Sequence, residues 1–157
     1  MTTTRDDEKW MSVALEEAEA AAREGEIPIG AAAVLDGRLV ARDHNRSVQL
    51  NDPTAHAEML VLREAGRLLR NYRLPGLEIY VTVEPCAMCA GALVWARVSR
   101  LIYGPRDDKA GAVVSRLETL RPGLLNHCVS VIEGVRAEEC RLLLRRFFQE
   151  RRGGADN

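Results

Sequence analysis

The stretch Leu77-Glu78-Ile79-Tyr80-Val81-Thr82-Val83-Glu84-Pro85-Cys86-Ala87-Met88-Cys89 carries the outline of the fold. Leu77, Ile79, Val81 and Val83 alternate with Glu78, Tyr80 and Thr82, the two-residue period of a strand. Pro85 ends the alternation, and a helix is expected over about residues 86 to 97. A strand passing directly into a helix is the repeating unit of an α/β domain. Short strands are expected at Arg100 to Tyr103 and at Cys128 to Ile132, and a last helix over about residues 136 to 152 that buries Cys140, Leu143, Leu144 and Phe147.

On the N-terminal side, the apolar run Ile29 to Leu35 meets Asp36-Gly37 and then Arg38-Leu39-Val40, a hairpin signal, because both turn positions need positive φ at low cost. A helix is expected over about residues 8 to 24, with Met11, Ala14, Leu15, Ala18 and Ala22 on one stripe and Gly25 as its stop. A second runs from about Thr54 to Leu69, with Asp52-Pro53-Thr54 supplying its cap. The order is one α/β domain over residues 1–157 with a central five-stranded sheet covered by helices, and with residues 1–7 and 153–157 expected as disordered tails.

Composition narrows the function. The chain has 157 residues, 46% of them hydrophobic and 29% charged, with a formal charge of −1, so it lacks the basic excess of a general nucleic-acid coat. No apolar run is long enough to span a bilayer, and the polar, acidic start does not resemble an export signal, so a cytoplasmic protein is expected. Four cysteines, at 86, 89, 128 and 140, are too few and too uneven for a disulfide scaffold. A close pair in a reducing compartment points to a metal or redox site instead.

Two stretches bear the chemistry: Thr54-Ala55-His56-Ala57-Glu58 and Pro85-Cys86-Ala87-Met88-Cys89, each at the start of an expected helix. Cys86 and Cys89, three apart in a first turn, share a face, and the positive end of the helix favours their thiolates. With the imidazole of His56 they make a ligand set suited to zinc. Structural zinc closes with four protein ligands, whereas catalytic zinc keeps three and one place for water. The remaining fourth candidates, Cys128, Cys140, His44 and His127, have no paired spacing, which favours an open site. Such a site can bring water from a pKa of about 15.7 to roughly 7. That is roughly 12 kcal/mol of easier deprotonation at about 1.36 kcal/mol per unit. Glu58, a hard carboxylate two residues beyond His56, suits proton transfer rather than ligation. The rival reading of the cysteine pair alone is a thioredoxin-like redox couple.

The pairing of His-x-Glu with Pro-Cys-x-x-Cys resembles the signature of the zinc nucleobase deaminases. Over about residues 8 to 152 the chain is similar to the bacterial tRNA-specific adenosine deaminases of the cytidine deaminase-like superfamily. The similarity is carried by Ile27-Pro28-Ile29-Gly30-Ala31, Asn45-Arg46, Asp52 to Glu58, Asn71-Tyr72-Arg73-Leu74, Tyr80 to Ala92, Gly104 to Lys109, Leu125-Asn126-His127 and Phe147-Phe148 with Arg151-Arg152. It implies a three-layer α/β/α fold with a mixed five-stranded sheet. It implies one zinc ion per subunit on His56, Cys86 and Cys89, with Glu58 as proton shuttle and Asn45 hydrogen-bonding the target base. Asp107 and Lys109 would lie along the RNA, and Phe148 would belong to a C-terminal helix that holds the anticodon stem-loop. The implied reaction is hydrolytic deamination of adenosine to inosine at the tRNA wobble position, by a homodimer.

Three positions depart from the pattern: His44, Pro105 and Trp95. Trp95 alone favours an alternative, a deaminase of a free base or nucleoside such as guanine or cytidine. A third reading, a non-catalytic RNA-binding or zinc-stabilised module, is opposed by the intact Glu58.

Overall fold

The computed structural model describes residues 3–154. The elements are α1 (Arg5–Arg23), β1 (Gly30–Leu35), β2 (Arg38–His44), α2 (Ser47–Leu50), α3 (Ala57–Leu69), β3 (Glu78–Val81), α4 (Ala87–Trp95), β4 (Arg100–Tyr103), β5 (Ser130–Ile132) and α5 (Ala137–Gly154). The five strands form one sheet in the order β2-β1-β3-β4-β5. β1 is antiparallel to both β2 and β3, while β3, β4 and β5 run parallel, so the sheet is mixed as expected.

The period of two sorts the strand residues into two cores. Ala31, Ala33, Ile79, Val81, Leu101 and Tyr103 face α3 and α4, meeting Val61, Leu62, Ala65, Leu93 and Val94. Ala32, Val34, Tyr80 and Ile102 face the other way, onto Trp10, Met11, Ala14 and Leu15 of α1 and Cys140 of α5. Helices therefore cover both faces, and the central strands are apolar on both sides. This corrects the expected polar face of β3: Tyr80 is buried there. The hairpin turn is as expected, with Asp36 at φ 51 and Gly37 at φ 73, the two positive angles of a type I′ turn.

The N-terminal helix begins earlier than its apolar stripe suggests, and residues 3–7 are not a tail. Thr4 caps it: its side chain accepts from the Asp7 backbone N–H, and Asp7 accepts from the Thr4 N–H, a capping box. Asp7 is buried, not part of a solvated acidic face. It accepts from the Tyr80 hydroxyl at 2.9 Å and pairs with Arg100 at 3.2 Å, and Arg100 also pairs with Glu78. At the other end α5 runs on to Gly154, past the expected stop at 152, and residues 155–157 lie outside the described residues.

Burial pushes the Asp7 carboxyl up, but hydrogen bonds from the Thr4 backbone and Tyr80, with Arg100 beside it, hold it below the ordinary value of 3.8. A carboxyl depressed by folding stabilises above its unfolded pKa, and that contribution is lost as pH falls through the folded value. Asp7→Asn is therefore expected to cost about 1–3 kcal/mol at pH 7. The gap to wild type should shrink as the pH is taken below 3.8. Urea unfolding of both proteins at pH 7 and pH 3 checks it; an equal gap at the two pH values would refute the assignment.

Candidate active site

The turn before α3 positions the first candidate ligand, His56. Asp52 accepts from the Thr54 backbone N–H and hydroxyl at 2.8 and 2.7 Å, and the Ala55 N–H closes on the Asp52 carbonyl at 3.1 Å. The helix consequently starts later than Thr54, and its N-cap is His56 in extended backbone. Cys86 occupies the same position on α4, again extended, after Pro85. Two helix N-caps and the first turn of α4 thus present their side chains to one point.

There His56 Nδ1 lies 3.6 Å from Cys86 Sγ and 3.5 Å from Cys89 Sγ. A tetrahedral zinc with bonds of about 2.0–2.1 Å to nitrogen and 2.3 Å to sulfur needs N···S separations of about 3.5–3.6 Å. The donor set and its spacing fit the ion. Among the described residues no fourth ligand joins the three. Cys140 is buried against α1, with its thiol pushed up to about 12 by burial, and Cys128 is exposed. His127 is held by the Val98 carbonyl at 2.7 Å, a backbone contact. His44 is buried between Glu17 and Glu24, at 3.2 and 2.7 Å. It belongs to a second group with Glu17 and Asp43, but Arg42 and Arg46 already pair with those carboxylates, at 3.3 and 2.7 Å.

A hydrogen bond from Cys89, then one from His56, holds the Cys86 thiol down at about 4, and the same contact pushes the Cys89 thiol up. His56 is raised, chiefly by its contact with Cys86. Glu58, in the first turn of α3, is 3% exposed, and burial raises its carboxyl. A carboxyl tuned upward beside a metal centre is the usual setting of a proton carrier.

Asn45 is buried, and its Oδ1 accepts the Ala57 N–H at 2.9 Å, one residue beyond His56. Its own N–H donates to Ile29 at 3.0 Å, tying the end of β2 to the residue before β1. Asp107, Lys109 and Phe148 come together in one cavity of about 450 Å³, with Ile27, Ile29, Val83, Arg106, Asp108 and Leu144. Asn45 and the three ligands do not line it. Arg106 is also engaged with Glu133 at 2.9 Å.

Sequence reading assigned no role to two buried acids. Glu26 accepts from the Val48 and Gln49 N–H groups at 3.0 and 2.8 Å and so fixes α2, which sequence reading also missed. Glu84 accepts from Asp107, Val113, Val114 and Ser115. Burial opposes its charge, but hydrogen bonds from Ser115, Val114 and Asp107 overrule it and hold the carboxyl at about 2. The available signal was a charged residue standing between the apolar Val83 and Pro85, just before the cysteine pair.

Trp95 is not at the site. It is 77% exposed on an open groove of about 930 Å³ between α3 and α4, with Tyr72, Met59 and Leu62. Within one chain it therefore stands apart from His56, Cys86 and Cys89 and lends the free-base alternative little support.

Residues 4–105 match the family described as the cytidine and deoxycytidylate deaminase zinc-binding region. A tRNA-specific adenosine deaminase of Agrobacterium fabrum is 48% identical over 143 residues, covering 91% of this chain and 94% of that protein. The chain belongs to the tRNA-specific adenosine deaminase family. Among solved structures, one from a study of A-to-I editing by tRNA:A34 deaminases at the wobble position of transfer RNA superposes with a TM-score of 0.84 at 46% identity, covering 87% of this chain and 99% of that one. A guanine deaminase from Nitrosomonas europaea shares the fold at a TM-score of 0.79 with 27% identity, covering 94% and 86%. This family membership makes the chain a zinc-dependent hydrolase, with the His56, Cys86 and Cys89 cluster as the group that fits the metal.

Proposed function

We propose that this chain converts adenosine to inosine at the wobble position of a tRNA, with water consumed and ammonia released. The observation that carries the reading is the His56, Cys86 and Cys89 cluster at tetrahedral spacing with buried Glu58 in the first turn beside it. Zinc, when bound, supplies a Lewis acid that makes water a nucleophile near neutral pH. Glu58 would take a proton from the water as its oxygen bonds to C6 and deliver it to ring nitrogen N1; the remaining hydroxyl proton would then pass by way of Glu58 to the amino group, the C6–N bond would break and ammonia would leave. Asn45 has its Oδ1 occupied by Ala57, so its amide N–H₂ is the group that meets the base. The cavity of Asp107, Lys109 and Phe148 receives the neighbouring nucleotides, with the lysine offered to phosphate and the ring to a base face. An anticodon loop suits such a site, because a base in a single-stranded loop leaves its stack at low cost.

Incubation with an anticodon-arm RNA, with and without a chelator, tests the reading. Inosine should form and the chelator should stop it, while free guanine, cytidine and adenosine release little ammonia. Ammonia from free guanine with none from the RNA would reverse the assignment.

We further propose that the chain works as a homodimer in the cytoplasm. Among the described residues no helix is long and apolar enough to cross a membrane. The groove carrying Tyr72 and Trp95, 78% and 77% exposed, is the surface favoured for the second copy, because two large aromatic rings stand in water there beside Met59 and Leu62. Trp95→Glu should leave the fold intact and give a monomer by analytical ultracentrifugation where wild type is a dimer. A dimeric variant, or a monomeric wild type, would exclude this surface.

A further inference from the structure

We propose that Glu84 is the positioning residue of the substrate wall, joining the metal-binding turn to the Asp107–Lys109 loop through one buried carboxylate; this rests on the reading of that loop as the RNA-facing wall. Glu84 is 2% exposed and lies two residues before Cys86. It takes no part in the proton transfer assigned to Glu58. A buried charge needs its lone pairs filled, and here a single loop fills them. Oε1 accepts the Asp107 N–H at 3.0 Å and the Ser115 hydroxyl. Oε2 accepts the N–H groups of Val113, Val114 and Ser115 at 3.0, 2.9 and 3.0 Å.

The backbones are joined as well. The Glu84 N–H donates to Pro105 at 3.0 Å, and the Ala112 N–H donates to Pro85 at 2.8 Å. The loop can wrap the carboxylate so closely only because Gly111 has no side chain: a Cβ there would stand 2.4 Å from Glu84 Cδ. Asp107 then passes the order on. With its own N–H held by Glu84, its Oδ1 accepts from Lys109 and Ala110 at 3.0 and 3.2 Å, forming the turn that presents Lys109 to the cavity.

The two oxygens have separable duties, and Glu84→Gln exploits that. The amide carbonyl can keep the three N–H donors of residues 113–115. The amide N–H₂ then faces the Asp107 N–H, donor against donor, while the Ser115 hydroxyl can turn to accept. The substitution thus frees Asp107 and spares the rest of the loop.

In the E84Q protein, zinc should remain at one ion per chain, and hydrogen exchange should quicken at residues 107–111 but not at 113–115. The KM for an anticodon stem-loop should rise about tenfold, the scale of one lost charge-assisted hydrogen bond, with kcat changed less than threefold. Gly111→Ala, which would drive a methyl to 2.4 and 2.5 Å from the two carboxylate oxygens, should quicken exchange over residues 107–115 and raise KM in the same way, and decides the matter if E84Q does not fold. Unchanged exchange at residue 107, or a loss confined to kcat or zinc with KM steady, overturns the proposal. Should wild type form no inosine on the stem-loop, the substrate reading falls by itself, and the exchange pattern still decides whether Glu84 anchors the loop.

Discussion

Replacing Glu58 by glutamine should lower inosine formation by about 10²–10⁴-fold while zinc stays bound. The amide has the volume of the acid, so the first turn of α3 keeps its packing, and the three ligand atoms do not include Glu58. What disappears is the ability to accept a proton and hand it on. Single-turnover conversion of an anticodon-arm RNA, beside metal content by atomic emission, separates the two roles. Full activity, or zinc lost in proportion to rate, would remove Glu58 from the proton path.

The largest expected effect on stability lies far from the chemistry, at Gly30. Its backbone runs against α1 so tightly that an added Cβ would meet the Ala14 carbonyl oxygen at 2.0 Å, the Ala18 nitrogen at 2.5 Å and Glu17 Cβ at 2.8 Å. Two of these are helix backbone and cannot swing aside. Gly30 is also held from the other side, its N–H donating to Thr82 Oγ1 at 3.1 Å. Gly30→Ala should therefore cost about 3 kcal/mol or more, at the upper end of overpacking penalties. Chemical denaturation gives the value directly. A change below about 0.5 kcal/mol, the level of an ordinary surface substitution, would mean that α1 slides on the sheet without penalty.

What the sequence made legible was local. Asp36-Gly37 is read within four residues, Cys86 and Cys89 within one helical turn, and the alternation of β3 within seven residues. The α/β order and the three ligands follow from such short patterns. The resemblance to a family added Asn45, Asp107, Lys109 and Phe148, of which the last three share a cavity. Residues whose state depends on distant partners were not legible. Asp7 is one acid of a polar, acidic start, yet it is buried, with its partners Tyr80 and Arg100 standing 73 and 93 positions away. Glu84 looked like the polar end of a strand, although its donors come 23 to 31 residues later. Trp95 favoured a free-base deaminase in the sequence, and its exposure depends on how α3 and α4 lie together. The segment between β4 and β5 shows no period, because it is docked by irregular polar contacts: Asp107 and residues 113–115 on Glu84, Asn126 on Arg97 at 3.2 Å and His127 on Val98 at 2.7 Å.

The spacing of the three ligands along the chain has a bearing on how the holoenzyme is born. Cys86 and Cys89 emerge from synthesis as neighbours, but His56 precedes them by some thirty positions and reaches them only after α3 and α4 have settled on the same side of the sheet. Before those helices pack, only the two cysteines would be held close together, a weaker grip than the assembled set. Durable capture waits for tertiary structure, so metal uptake should lag behind collapse and be reversed early in unfolding. If His56, Cys86 and Cys89 hold the ion, a mutation that loosens the packing of those two helices should lower the metal content of the folded protein.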